Sequence, residues 1–204
     1  AVRIVEIHDG QAGAAIAPDI GGSLLWFRWT GKDRQVDWLR PADTQALAAR
    51  DPSRAACFPL VPYSNRIRDG RFEFAGQTIQ LPSTPPLDPH FEHGHGWRRP
   101  WTVVNCNASR AVLRYRHEPD EWPWRYEAEQ DIALVEGALH IRLMLRNLAQ
   151  SPMPFGIGLH PYFPADGAPR IETEAAAMWE TDTDVLPTRL MRRPDARQPI
   201  EVAG

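Results

Sequence analysis

Apolar residues recur at short intervals along this chain, and in its middle they alternate with polar ones. Leu139, Ile141, Leu143 and Leu145 interleave with His140, Arg142, Met144 and Arg146. A period of two places the first set on one face of a strand and the second on the other. The runs 101–105, 111–117 and 125–135 also read as strands, and a Glu136-Gly137 turn leads from the last of them into 139–147. Runs over 2–7, 12–16 and 23–29, the last following Gly21-Gly22, open the chain as a meander. Strand-like runs over 71–74 and 77–81 flank Ala75-Gly76, which predicts a hairpin with a two-residue turn. Only 43–50 (DTQALAAR) has helical character, with Asp43 or Thr44 as its cap and Pro52 as its stop. Closely spaced strands with one short peripheral helix predict an all-β fold, a sandwich or barrel, and exclude a doubly wound α/β architecture.

Size and charge narrow the function. A chain of 204 residues suits one large domain over 1–204 with a substantial core. The net charge is −3 and no basic block occurs, so nothing favours capture of nucleic acid or an anionic membrane, and a neutral small ligand fits better. No apolar stretch approaches the ~20 residues that span a bilayer, and the opening AVRIVEIHDG lacks the regions of a secretory signal, so a soluble cytoplasmic protein is expected. Cys57 and Cys106 make no disulfide framework and are expected as free, buried thiols. The 20 prolines, roughly twice the usual ~5%, cluster at 82–89 and 119–123 and read as rigid loops. The 8 tryptophans read mainly as core residues. The polar stretch 192–204 reads as a loop that stops before its next strand.

Candidate chemistry gathers in two islands. One runs from Asn65-Arg66-Ile67 through Gly70-Arg71-Phe72 to His93-Gly94-His95-Gly96-Trp97; the other is His160-Pro161-Tyr162-Phe163. Arg66 offers several fixed donors suited to hydroxyl oxygens or a carboxylate, although taken alone it also reads as a surface or ion-paired arginine. His93 and His95 form a His-x-His pair that could start a metal site of cupin type. Such a site needs a carboxylate a few residues on, which 96–100 does not supply, and the flanking glycines suit a loop; no metal is expected. His160 ends an apolar strand before a proline, and its imidazole has the working range for proton transfer, or else is a buried histidine satisfied by backbone. The chain has no G-x-S-x-G elbow, P-loop, G-x-G-x-x-G or H-E-x-x-H, and Ser64 and Cys57 lack nucleophile signatures.

Taken together, Pro62-Tyr63-Ser64-Asn65-Arg66-Ile67, Gly70-Arg71-Phe72, Leu81-Pro82, His93-Gly94, Gly96-Trp97, Trp101, Leu159-His160-Pro161-Tyr162-Phe163 and Leu186-Pro187-Thr188 resemble the aldose 1-epimerase (galactose mutarotase) family in order and spacing, over nearly the whole chain. The resemblance implies a large antiparallel β-sandwich of the galactose mutarotase type. It also implies interconversion of the α and β anomers of free aldoses without a cofactor. By position, His160 matches the general acid at the ring oxygen, His93 the histidine that assists at the ring, and Arg66 the arginine that holds sugar hydroxyls. Trp97 is suited by residue type to wall off the sugar's C–H face, Asn65 shapes the loop, and His95 joins the binding group without a defined role. The family's general base is a glutamate well beyond the Leu-Pro-Thr motif, and a hydroxyl-binding aspartate also lies there. Glu172, Glu174 and Glu180 precede the motif and are not candidates. The expectation is therefore a partial chain lacking its C-terminal strands, or, if it ends at Gly204, a sugar-binding protein without normal mutarotase activity. Two alternatives stay open: a hexose-6-phosphate epimerase using Arg98-Arg99, and a non-catalytic carbohydrate-binding protein.

Overall fold

A computed structural model of the chain describes residues 2–82, 90–165 and 176–192. The opening meander is present: β1 (Val5–Asp9), β2 (Ala12–Ala17) and β3 (Ser23–Thr30) pair antiparallel in sequence order. One end of β3 takes β4 (Gln35–Asp37), and its other end meets β5 (Cys57–Leu60) through Leu24 and Cys57. Between them lies α1 (Thr44–Ala49), which Asp43 caps by accepting the Ala46 N–H at 2.8 Å. Arg50 ends the helix in the left-handed conformation, so the predicted span 43–50 is the helix plus its two caps.

The middle of the chain supplies small ladders and the second sheet. β6 (Arg66–Ile67) pairs with β9 (Phe91–Glu92), while β7 (Arg71–Phe74) and β8 (Gln77–Gln80) form the expected hairpin around Ala75 and Gly76. Both turn residues have positive φ, 50° and 77°, as such a turn demands. β10 (Thr102–Cys106), β11 (Arg110–His117), β12 (Tyr126–Val135) and β13 (Ala138–Asn147) make a four-stranded antiparallel sheet in that order. β14 (Gly158–Pro161) then returns to pair with β5, so the first sheet runs β1-β2-β3-β5-β14. β15 (Ala177–Thr181) and β16 (Pro187–Arg192) form a separate hairpin.

The core lies between the two large sheets. Tyr126, Ala128, Gln130, Ile132 and Leu134 are buried at every second position of β12, and they join Ile7, Ala14, Ile16 and Leu24 of the first sheet with Ala111 and Leu113 of β11. Gln130 is the polar member of that inward row, and its amide donates to the Gly22 carbonyl at 3.0 Å, tying the sheets together. On the opposite face, Arg116 pairs with Glu127 at 2.6 Å and Arg114 with Glu129 at 2.9 Å. Such exposed cross-strand pairs contribute at most about 1 kcal/mol each, so the apolar row decides which face turns inward.

Several expectations need amendment. β5 carries no signal in the sequence, because the 57–60 run is too short to show alternation and has Pro59 in its middle. Both cysteines are free, but Cys106 is exposed and only Cys57 is buried. Trp97, Trp101, Trp122 and Trp124 are core residues, whereas Trp38 and Trp179 are exposed. Of the proline-rich loop at 82–89 only Pro82 falls within the described residues; the stretch 193–204, Glu172 and Glu174 lie outside them. Among the described residues no helix is long and apolar enough to cross a membrane.

Candidate active site

His160 is the third residue of β14 and lies opposite Phe58 of β5 in the antiparallel register. Directly opposed residues share a face. Their rings accordingly meet almost parallel, with centroids 4.7 Å apart and planes 16° apart. Tyr162, two positions on, keeps to the same side and meets His160 at 4.8 Å. Arg40 lies over the Tyr162 ring, its guanidinium carbon 3.9 Å from the centroid.

Arg66 and His93 reach this cluster from the β6–β9 ladder. Arg66 is opposite Glu92, and the His93 N–H donates to the Asn65 carbonyl at 3.2 Å, so the two loops are held together by backbone. His93 has φ 62°, a conformation uncommon for a residue with a side chain, and Gly94 follows at φ 67°. This double left-handed step lays the loop against Val61, whose carbonyl accepts from the Gly96 N–H at 3.1 Å. The approach is close: a Cβ on Gly94 would stand 2.2 Å from the Val61 oxygen. Backbone strain of this kind concentrates at functional positions.

The folded loop sets the His93 ring edge-on to His160, 5.4 Å between centroids and 73° between planes. Its Nδ1 is 3.1 Å from the Ser64 carbonyl, which can only accept, so Nδ1 carries the hydrogen and Nε2 is the basic nitrogen. Glu92 Oε2 stands 2.8 Å from Arg66 Nη2 and 3.7 Å from His93 Nε2, coupling the cation and the imidazole through one carboxylate. Burial lowers the pKa of His93, and the Glu92 carboxylate works in the opposite direction.

Thus His160, His93 and Arg66 with Asn65 come together, while two candidates are placed elsewhere. Trp97 is only 5% exposed: its ring stacks on Phe58 at 4.9 Å and its Nε1–H donates to the Gly94 carbonyl at 3.0 Å. A ring buried in this way supports the loop from beneath and has no open face for a sugar. His95 turns to the other side of the loop, where its Nε2 is 2.8 Å from the Tyr126 hydroxyl and its ring is 4.2 Å from that of His117. Burial, with His117 beside it, pushes its pKa down to about 3, so it stays neutral. The His-x-His pair therefore does not converge, and the described residues hold no group of three or more His, Cys, Asp or Glu arranged for a metal ion.

Arg98 and Arg99 line a cleft of about 290 Å³ together with Asp120 and Glu121, and Arg98 lies over Trp97 at 4.3 Å. Glu180 faces Arg189 across the β15–β16 hairpin at 2.8 Å. Sequence reasoning missed Phe58, Glu92 and Arg40 as members of the site. Glu92, adjacent to His93, is the one with a local signal; Phe58 and Arg40 are assigned only by strand pairing and packing.

The sequence profile of the aldose 1-epimerase family matches residues 3–202. The chain belongs to that family. Among curated proteins it is 34% identical over 141 residues, 69% of this chain and 47% of the relative, to the uncharacterized protein YphB of Escherichia coli K12. It is 27% identical over 105 residues to the uncharacterized YihR of the same organism, 50% of this chain and 34% of that protein. The chain thus spans about half or less of the curated relatives it matches. Its fold superposes on a candidate aldose 1-epimerase from Escherichia coli K12 with a TM-score of 0.84 at 28% identity, covering 100% of this chain and 67% of that one. It also superposes on an aldose epimerase homologue from C. elegans with a TM-score of 0.80 at 22% identity, covering 98% and 66%. The all-β, mutarotase-type sandwich expected of this aldose 1-epimerase family member is the fold observed.

Proposed function

We propose that the protein is an aldose 1-epimerase that interconverts the α and β anomers of a free aldose, with His160 as the acid. The observation that carries this reading is the convergence of His160 and His93, far apart in sequence, on the Phe58 ring, with Arg66 joined to His93 through the Glu92 carboxylate. Ring opening removes the proton from the anomeric hydroxyl, forms the C1 carbonyl, breaks the bond from C1 to the ring oxygen and places a proton on that oxygen. His160 gives that proton and takes it back when the ring closes on the other face after rotation about C1–C2. Arg66, steadied by Glu92, donates to sugar hydroxyls, and His93 holds the ring beside His160. The complementary base belongs on the opposite side of the ring. No described residue is assigned to it, and the family likeness gives it to a glutamate of a later segment.

Polarimetry on freshly dissolved α-glucose and α-galactose tests the proposal. The intact gene product should speed the approach to equilibrium, and His160→Ala should abolish most of that acceleration, by about 10²–10⁴-fold for a lost acid. An unchanged rate in His160→Ala refutes the assignment. Sugar binding by calorimetry without acceleration in the intact protein would instead mark a carbohydrate-binding protein. Faster turnover of glucose 6-phosphate than glucose would favour the phosphorylated substrate; the carboxylates sharing the Arg98–Arg99 cleft weigh against it.

A further inference from the structure

Phe58 and Tyr162 have no part in the chemistry just described, yet they make the closest ring contacts to His160 in this structure, 4.7 Å and 4.8 Å between centroids. Phe58 and Tyr162 are 6.2 Å apart, so they meet the imidazole from directions roughly at right angles, and His93 closes a third side edge-on at 5.4 Å. An imidazole used for proton transfer is commonly oriented through a hydrogen bond to its second nitrogen. His160 Nδ1 is buried, and no described residue hydrogen-bonds to it. Among the described residues, ring packing therefore sets the plane of the acid, about a χ2 torsion that is otherwise broad.

Both supporting rings are themselves held. Phe58 is 2% exposed, lies in the β5–β14 ladder and stacks on Trp97 with planes 20° apart. Tyr162 is pinned by its backbone: its N–H donates to the Ala56 carbonyl at 2.9 Å, and its carbonyl accepts from the Arg40 N–H at 2.8 Å. The Arg40 side chain donates to the Ser53 and Ala55 carbonyls, each at 3.1 Å, and this fixes the guanidinium over the face of the Tyr162 ring. We propose that Phe58 and Tyr162, the latter held by Arg40, are positioning residues that orient the His160 imidazole for proton transfer. The proposal rests on His160 being the acid of the reaction described above.

The test uses the full protein with Tyr162→Leu, Arg40→Met and the conservative Tyr162→Phe; Phe58 is left in place because it is a core residue. Two quantities are measured: kcat and KM for the aldose, and the carbon-bound ring-proton resonances of His160, identified by their loss in His160→Ala. In the wild type those resonances should be displaced upfield by the neighbouring rings, and in Tyr162→Leu they should move back. The same variant should lose about 10- to 100-fold in kcat, the scale set by a misplacement of about 1 Å, with KM held. Tyr162→Phe keeps a ring in place and should recover most of kcat, and Arg40→Met should shift both readouts in the same direction by less. Wild-type kcat in Tyr162→Leu, or unmoved His160 resonances there, overturns the proposal. A wild type that accelerates no aldose refutes the catalytic reading alone. Nuclear Overhauser contacts between His160 and the retained Phe58 ring, which do not depend on the Tyr162 ring current, then decide whether Tyr162 orients His160: contacts unchanged in Tyr162→Leu overturn the proposal.

Discussion

Gly94→Ala should be among the most damaging single-methyl changes near the site, and its cost separates into two parts. Gly94 has φ 67°, and an L side chain in the left-handed region costs about 1–2 kcal/mol. The new Cβ would also stand 2.2 Å from the Val61 oxygen, 2.6 Å from the Val61 carbonyl carbon and 2.6 Å from Pro62 Cδ. Two of these atoms are backbone and the third is a proline ring, so no rotamer change relieves the overlap. The His93 loop must lift from Val61, at a further cost of about 1–3 kcal/mol for forced overpacking. Gly76→Ala is the internal control, since Gly76 has φ 77° and a methyl group added there would meet no atom within 4 Å. Urea and thermal unfolding of the two variants should show Gly94→Ala losing about 1–3 kcal/mol more than Gly76→Ala, the overpacking cost alone. At about 2–4 °C per kcal/mol for a chain of this size, the melting temperatures should differ by roughly 2–12 °C. Equal losses in the two variants would refute the claim that contact with Val61 constrains the loop.

Two further outcomes follow from the electrostatics. His95 is depressed to about 3 in the folded protein, whereas an unfolded histidine titrates near ~6.5. Between these values the unfolded chain binds a proton that the folded one refuses, so stability falls as the pH drops from about 6.5 toward 3, with a limiting slope near ~1.4 kcal/mol per pH unit. His95→Gln should flatten that part of the stability curve, and an unchanged slope would show that His95 is not responsible. Glu92→Gln should move the NMR titration of His93 to lower pH, because the carboxylate opposes the effect of burial on that ring; a titration that stays in place would remove Glu92 from the site.

What could be read from the residues alone were features decided within a few positions of themselves. Alternation around Leu143 fixed the inward face of β13, Ala75-Gly76 fixed a hairpin, and Asp43 fixed the start of α1, because side-chain periodicity, turn conformation and helix capping are local. The motifs around Arg66, His93 and His160 were also legible as chemistry, and a family resemblance joined them. Their mutual geometry was not. That Phe58 lies under His160 depends on the β5–β14 register, a pairing of strands separated by about half the chain. The different fates of His93 and His95, two residues apart, depend on a pair of left-handed residues pressed against Val61, which turn one ring toward His160 and the other toward Tyr126. Trp97 had the composition of a sugar platform, yet packing on Phe58 buried it. Sequence determined which groups were available and that a β scaffold would carry them. Only tertiary packing decided which imidazoles face each other, because orientation is set by contacts between segments that carry no record of one another along the chain.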